Sequence, residues 1–275
     1  MNDALHVHVR APATTANLGP GFDCAGAALD LWNELEVFPG DDPPDRDHLG
    51  VRAFERLVPA TGWSFRFTDR IPQARGLGSS AAVVALGLVA AAAVGRLEPT
   101  ADELLALGVE LEGHGDNLAA ALAGGVCLTW GTRIARIADR APATPIAVVP
   151  EERVETTASR AALPQSVPHP DAAHSAGRAA LLGAALATGS PELFAAALDD
   201  RLHEPYRAES APLLGSIRAS LPDGALGATL SGAGPAVIVW ARDGQADACV
   251  AELRGRCTTE QVLKLDIAST GAAAL

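Results

Sequence analysis

Lysine is almost absent from this chain, because Lys264 is the single lysine among 275 residues. A nucleotide-binding loop of the G-x-x-x-x-G-K-[ST] type places a lysine directly ahead of a helix, whereas Lys264 lies close to the end of the sequence. That class of site is therefore excluded. Any bound phosphate must be neutralised by backbone N–H groups, by arginine or by a divalent cation.

Cysteine and positive charge are also scarce. Four cysteines are scattered without a C-x-x-C pair, which predicts neither a zinc site nor a disulfide framework and favours a reducing cytoplasm. The net charge of -12 argues against nucleic acid or an anionic membrane surface as a partner, since both require clustered basic residues. The first residues show no basic segment followed by an apolar one, so no signal peptide is predicted.

The apolar content, 48% of residues, is enough for one large domain or two modest ones. Two prolines in the segment 141–145 predict a boundary, which divides the chain into residues 1–145 and 146–275. The longest uncharged run, 76–95, matches a membrane span in length. Its continuous apolar part begins only at Ala81 and is rich in alanine, so we interpret it as a buried helix.

Periodicity predicts a mixed α and β fold. Strands are expected at 5–9 and 31–38, with a turn-rich loop over 12–23 between them. A capping box, Thr100-Ala-Asp-Glu103, begins a helix that is predicted to reach about Leu111. The second half is predicted to contain helices at 172–188, 191–202 and 211–220, and strands at 146–149, 236–240 and 262–267.

The segment from Pro72 to Ala82 carries two glycines and two serines directly ahead of the apolar helix. The first N–H groups of a helix have no intrahelical partner, and glycine lets the backbone approach a bulky anion. The segment therefore predicts either a phosphate site or a tight turn with Ser79 or Ser80 as helix cap. Its sequence alone leaves both interpretations open.

Three other segments combine glycine with polar side chains: 12–23, 112–117 and 231–235. With the 72–82 segment, they resemble in order and spacing the motif set of the GHMP kinases. The first two, Pro-Ala-Thr-Thr-Ala-Asn-Leu-Gly-Pro-Gly-Phe-Asp and Glu-Gly-His-Gly-Asp-Asn, are similar to the homoserine kinase branch of that family. The match extends over nearly the whole chain.

The resemblance implies an α+β protein of two domains, a ribosomal-S5-like N-terminal domain that binds ATP and a ferredoxin-like C-terminal domain. The implied reaction is phosphorylation of L-homoserine by ATP with Mg²⁺, in threonine biosynthesis, and the resemblance is compatible with a homodimer. Residues implied to wrap the nucleotide phosphates are Pro72, Gln73, Ala74, Arg75, Gly76, Leu77, Gly78, Ser79, Ser80, Ala81 and Ala82. Ser80 and Glu110 are the implied magnesium ligands, with Glu112 near enough to replace Glu110.

Homoserine carries a carboxylate, an ammonium group and a hydroxyl, so its site needs arginine, a carboxylate and a polar orienting group. By resemblance, Arg160 and Arg207 bind the carboxylate and Asp23 binds the amine. The remaining residues implied to line the acceptor site are Asn17, His114 and Asn117. Asn117 and Ser80 are the implied catalytic residues, and Asp23 is the nearest carboxylate if the reaction uses a base.

The chain departs from the family pattern at two positions. His48-Leu49 stands where the family has an Asn-Leu pair near the adenine, and Gly115 replaces a proline. Two alternatives stay open from the sequence. One is a GHMP kinase that acts on a mevalonate-type or sugar alcohol, although an uncharged sugar would leave two arginines unpaired. The other is a catalytically silent member that binds only a small ligand or a partner protein.

Overall fold

The structure is a computed structural model that describes residues 6–154 and 156–275. Its strands are β1 (Val7–Asn17), β2 (Gly21–Pro39), β3 (Trp63–Thr68), β4 (Val126–Trp130), β5 (Arg133–Ala138), β6 (Thr144–Val149), β7 (Ala225–Leu230), β8 (Val237–Ala241), β9 (Gln261–Lys264) and β10 (Ala273–Ala274). Its helices are α1 (Leu49–Phe54), α2 (Ser79–Gly95), α3 (Ala101–Glu112), α4 (Asp116–Ala123), α5 (Thr156–Ala161), α6 (His169–Thr188), α7 (Pro191–Ala197), α8 (Glu204–Arg207), α9 (Pro212–Ala219) and α10 (Ala246–Arg256).

The first sheet has the strand order β10-β1-β2-β4-β5, with β3 also paired to β2, and all its pairs are antiparallel. The prediction of a loop over 12–23 is wrong, because β1 runs to Asn17 and β2 begins at Gly21. Residues 11–16 are fully buried on both faces, so they do not show the alternation of polar and apolar residues that marks a half-buried strand. Leu5 of the predicted first strand lies outside the described residues.

The second sheet has the order β7-β8-β6-β9 and is also antiparallel. The strands predicted at 146–149 and 236–240 are confirmed as β6 and β8. After β9 the chain returns to the first sheet, where β10 pairs with β1 through Arg10 and Ala273. The division into domains at residue 145 stays a prediction.

Helix α2 is the buried helix that the alanine-rich run predicts. It packs against β1 and α1, and Val84, Leu86 and Leu88 are fully buried in the core. Within residues 6–154 and 156–275, the structure contains no helix with the length and apolar character needed to cross a bilayer. Burial inside the protein thus accounts for the absence of charge in this run.

Helix α3 brings the acidic motif to the start of α2. The predicted capping box at its N-terminus is confirmed, since the Thr100 hydroxyl and the Glu103 carboxylate each accept the other residue's backbone N–H. The helix ends at Glu112, where Gly113 adopts a left-handed conformation with φ of 81°. Helix α4 begins at Asp116, so residues 112–117 connect the end of α3 to the start of α4.

Candidate active site

A cavity of about 280 Å³ lies where the four glycine-bearing segments meet. The β1–β2 turn forms one wall, residues 74–81 at the start of α2 another, and the α3–α4 connection a third. Residues from α5, α8 and the 232–234 segment complete it. The predicted site residues that line the cavity are Asn17, Asp23, Ala74, Gly76, Gly78, Ser79, Ser80, Ala81, His114, Asn117, Arg160 and Arg207.

Residues 72–78 form a tight loop before α2, and residues 79–82 form its first turn. Gly76 and Gly78 have φ of 83° and 63°, and a Cβ at either would collide with a neighbour: the Ser231 carbonyl oxygen for Gly76, the Thr14 hydroxyl for Gly78. Gly78 is the N-cap residue of α2 and no side chain among the described residues caps this end, so the interpretation of Ser79 or Ser80 as the cap is wrong. The start of α2 therefore faces the cavity with uncapped N–H groups.

Five residues of the predicted phosphate-binding segment do not line the cavity: Pro72, Gln73, Arg75, Leu77 and Ala82. Leu77 and Ala82 are fully buried in the core, and the Arg75 guanidinium donates to the carbonyls of Pro150 and Glu151.

The 231–235 segment holds the loop of residues 72–78, the predicted phosphate loop, in place. The Ser231 hydroxyl donates to the Gly76 carbonyl at 2.6 Å, and the Ala236 N–H donates to the Arg75 carbonyl at 3.1 Å. The second sheet thus fixes the loop against the first. The glycines at 232 and 234 bring the backbone of this segment to the cavity wall.

Glu112, rather than Glu110, reaches the start of α2. The Ser80 hydroxyl donates to the Glu112 carboxylate, and both side chains line the cavity. Glu110 is 60% exposed and pairs with Arg56 on another face of α3. The predicted magnesium ligand Glu110 therefore does not line the cavity, because side chains two positions apart on a helix are separated by about 200° of rotation around its axis. Burial raises the pKa of Glu112, against the opposing effects of Ser80 and His114.

Asn17 and Asp23 are held at the β1–β2 turn in left-handed backbone conformations, with φ of 71° and 56°. The Asn17 side chain accepts the Asp23 N–H and donates to the Gly232 carbonyl, each at 3.0 Å. Arg160 on α5 donates to both oxygens of the Asp23 carboxylate, at 2.6 and 3.1 Å. The predicted amine-binding and carboxylate-binding groups thus neutralise each other across the cavity, and the Asp23 carboxylate raises the pKa of Arg160.

Arg207 lies at the inner end of the cavity and is 2% exposed. Its Nη1 donates to His203 Nδ1 at 2.9 Å and to the Gly232 carbonyl at 3.2 Å. Its Nε is buried and meets no acceptor among the described residues. Burial lowers the pKa of Arg207, and Arg160 lowers it further. A buried guanidinium with an unused N–H group is suited to bind a further acceptor, such as a carboxylate.

The buried His203 was not predicted from the sequence. Its Nδ1 accepts from Arg207 and its Nε2 donates to the Gly19 carbonyl at 2.8 Å, which is the pattern of a neutral imidazole. Burial lowers its pKa, consistent with that state. His203 thereby connects Arg207 to the turn that carries Asn17. Its place in His203-Glu-Pro-Tyr-Arg207, one helical turn before the arginine, was the available sequence signal.

Asn117 faces the cavity from the first turn of α4. Its Oδ1 accepts from the Thr14 hydroxyl at 2.7 Å, and its backbone N–H donates to Asp116 Oδ1 at 2.7 Å. His114 Nδ1 lies 3.4 Å from the same Asp116 oxygen, and the Asp116 carboxylate raises the pKa of His114. Thr14 and Asp116 are further site residues that the sequence analysis did not single out, although both fall inside its motifs.

Helix α8, which carries Arg207, is anchored by the buried Glu204. This carboxylate accepts the Leu230 N–H at 2.8 Å and pairs with Arg218 at 2.6 Å. Burial nevertheless raises the pKa of Glu204 from 4.5 to about 7. The anchor between α8 and β7 is therefore sensitive to pH.

We expect the contribution of Glu204 to stability to fall as pH rises. Its pKa is higher in the folded than in the unfolded chain, so its favourable contribution is complete below pH 4.5 and is lost as pH approaches 7. The difference in unfolding free energy between wild type and Glu204→Gln should decline by about 3 kcal/mol over that range. Urea unfolding of both proteins at several pH values measures it. A difference independent of pH would contradict the raised pKa.

Comparison with known proteins supports the architecture. The family model for the GHMP kinases N terminal domain matches residues 48–125, and that for GHMP kinases C terminal matches 182–258. Homoserine kinase from Streptomyces avermitilis is 41% identical and aligns over 96% of this chain and 94% of its own length. The homoserine kinase from Streptomyces coelicolor is 42% identical over 89% of this chain and 87% of its own.

A solved structure shows the same fold. The crystal structure of homoserine kinase from Cytophaga hutchinsonii superimposes with a TM-score of 0.86, at 23% identity, over 98% of this chain and 97% of that one. The predicted α+β fold class of the GHMP kinases is thereby confirmed.

Proposed function

The chain belongs to the GHMP kinase family, and we propose that it transfers the γ-phosphoryl group of ATP to the side-chain hydroxyl of L-homoserine. The observation that carries this proposal is the presence of Asp23, Arg160 and Arg207 in the same cavity as an uncapped helix start. The three charges match an amino-acid zwitterion, and the helix start matches phosphate. Relatives at about 40% identity that are named homoserine kinase support the same substrate. Its product would enter threonine biosynthesis.

The nucleotide phosphates would lie against the start of α2, where the backbone of 76–81 and the helix dipole favour negative charge. A groove lined by Trp63, Phe67 and His48 offers a place for the base. The His48 ring lies 4.0 Å from that of Phe67, and the start of α1 packs beside Val83 in the first turns of α2. Although His48 replaces the family's asparagine, the groove keeps an aromatic wall.

Ser80 and Glu112 fit a magnesium ion. Mg²⁺ prefers oxygen ligands and takes one or two from the protein, the rest from water and substrate phosphates. The Ser80 hydroxyl and the Glu112 carboxylate are in contact beside the phosphate loop, and burial of Glu112 strengthens its interaction with a cation. When bound, the ion would neutralise charge on the transferred group.

Homoserine would bind by replacing the ion pair between Asp23 and Arg160. Its ammonium group takes the place of the guanidinium at Asp23, and its carboxylate takes that of Asp23 at Arg160. The same carboxylate can accept the unused N–H of Arg207. Each of the three charges thus keeps a partner, which lowers the cost of desolvation on binding.

Asp23 would bind the substrate rather than act as a base, because Arg160 or the substrate ammonium occupies both of its oxygens. Phosphoryl transfer through a loose transition state needs alignment and charge neutralisation more than prior deprotonation. Asn117 and Ser80 would supply that alignment, Asn117 at the acceptor and Ser80 at the metal.

A substrate panel tests the proposal. ADP release should be rapid with L-homoserine and at least about tenfold slower with 4-hydroxybutanoate or 3-amino-1-propanol, which lack the ammonium and carboxylate groups respectively. Mevalonate, galactose and L-serine should stay near background. Preference for mevalonate or galactose would support the alternative alcohol kinases, and no ADP release with any substrate would support a silent ligand-binding member.

A further inference from the structure

Two residues contact the Asn117 side-chain amide, one at each end. The Thr14 hydroxyl donates to its Oδ1 at 2.7 Å, and Asp116 Oδ1 lies 3.5 Å from its Nδ2. A carboxylate only accepts hydrogen bonds, so Asp116 would repel the amide oxygen and attract the NH2 group. Thr14 then donates to the oxygen on the other side. Only one of the two amide orientations satisfies both neighbours.

Thr14 is well placed to hold this orientation. Its side chain is fully buried in β1, and its backbone N–H donates to the Leu77 carbonyl at 3.1 Å, one residue before Gly78. A Cβ at Gly78 would collide with the Thr14 hydroxyl and lie 3.1 Å from Asn117 Oδ1. Thr14 on β1 therefore contacts both the loop before α2 and the first turn of α4.

We propose that Thr14 is a positioning residue, which with Asp116 fixes the Asn117 amide so that its NH2 group faces the bound reactants. The Nδ2 atom lies on the side of Gly232, 3.7 Å from the position of an added Cβ there, and Gly232 lines the cavity. One N–H is directed towards Asp116, which leaves the other for an oxygen of the substrate or the transferred phosphoryl group. Asn117 accordingly acts as a hydrogen-bond donor and never as a base.

The inference rests on the proposed function, since it concerns the acceptor side of the same reaction. Thr14→Val keeps the shape of the side chain and removes the hydroxyl. We expect kcat with homoserine to fall about tenfold to a hundredfold, because the amide loses the bond that holds it in line. Thr14→Ser retains the hydroxyl and should restore most of the rate. Affinity for a non-hydrolysable ATP analogue should change little in either variant.

A double-mutant cycle separates positioning from a merely structural effect. If Thr14 acts through Asn117, Thr14→Val should have almost no further effect on kcat in an Asn117→Ala background. Undiminished loss in that background, or full activity of Thr14→Val alone, would overturn the inference. Thr229→Val is the matched control, because Thr229 is also fully buried and its hydroxyl accepts from Trp240 Nε1. That variant should unfold more easily and keep its kcat.

A measurement without turnover distinguishes failure of the inference from failure of the proposed function. Hydrogen exchange of the Asn117 side-chain NH2, followed by NMR with the ATP analogue bound, should accelerate in Thr14→Val and stay slow in Thr14→Ser. Equal exchange in all three proteins overturns the fixed amide, whether or not homoserine is the substrate. Slow exchange in wild type, faster exchange in Thr14→Val and no homoserine phosphorylation would refute the proposed substrate and uphold the fixed amide.

Discussion

Glu112→Gln should lower kcat by about two to three orders of magnitude, the loss that follows removal of one strong electrostatic group from a reaction centre. The amide keeps the size of the side chain but loses the negative charge that would hold Mg²⁺ beside Ser80. The Mg²⁺ concentration needed for half-maximal rate should rise as well. Initial rates with homoserine and ATP, measured over a series of Mg²⁺ concentrations, give both quantities.

Glu110→Gln supplies the matched control for this variant. Glu110 lies on the same helix, two residues before Glu112, and the substitution is again glutamate to glutamine. Its carboxylate pairs with Arg56 and does not line the cavity. Its ion pair is largely exposed, so its loss should cost little stability and leave kcat near that of wild type. The opposite result, a severe loss in Glu110→Gln and a mild one in Glu112→Gln, would refute the assignment of the metal ligand.

Arg160→Ala should weaken homoserine binding about tenfold to a hundredfold, because it removes a planar group that can hold a carboxylate through two charge-assisted bonds. Arg160→Lys should recover only part of the affinity, since a point charge lacks the fork geometry. Binding of the ATP analogue should change much less. Calorimetric titration of each variant with both ligands provides the comparison.

Arg160 suits this test better than Arg207. The Arg160 side chain is 40% exposed and touches the cavity from a short helix, so its removal leaves the core intact. Loss of Arg207 would leave the buried His203 Nδ1 without its donor, remove one of the two donors to the Gly232 carbonyl, and destabilise the fold. Arg133→Ala, at an exposed position on β5 outside the cavity, is the control. Equal losses of homoserine and ATP-analogue affinity in Arg160→Ala would place Arg160 at the nucleotide or in the fold.

Much of the fold could be predicted because the signals were local. Helix α2 follows from its uninterrupted apolar composition, and α3 from a capping box whose bonds all lie within three residues. The strand β8 follows from a run of apolar residues. In contrast, the hairpin at 12–23 could not be predicted, since its strands are buried on both faces and consist of small residues that periodicity does not distinguish from a turn.

By itself, the sequence determined the family, the fold class and the four segments that form the cavity, because motif residues and their order are properties of the chain alone. Only the tertiary structure showed that Glu112 rather than Glu110 contacts Ser80, since which face of α3 meets Ser80 depends on how two helices pack. It also revealed that Asp23 and Arg160 pair, and that Thr14 holds Asn117. These contacts join residues that are 137 and 103 positions apart in the chain, and no local pattern encodes such a contact.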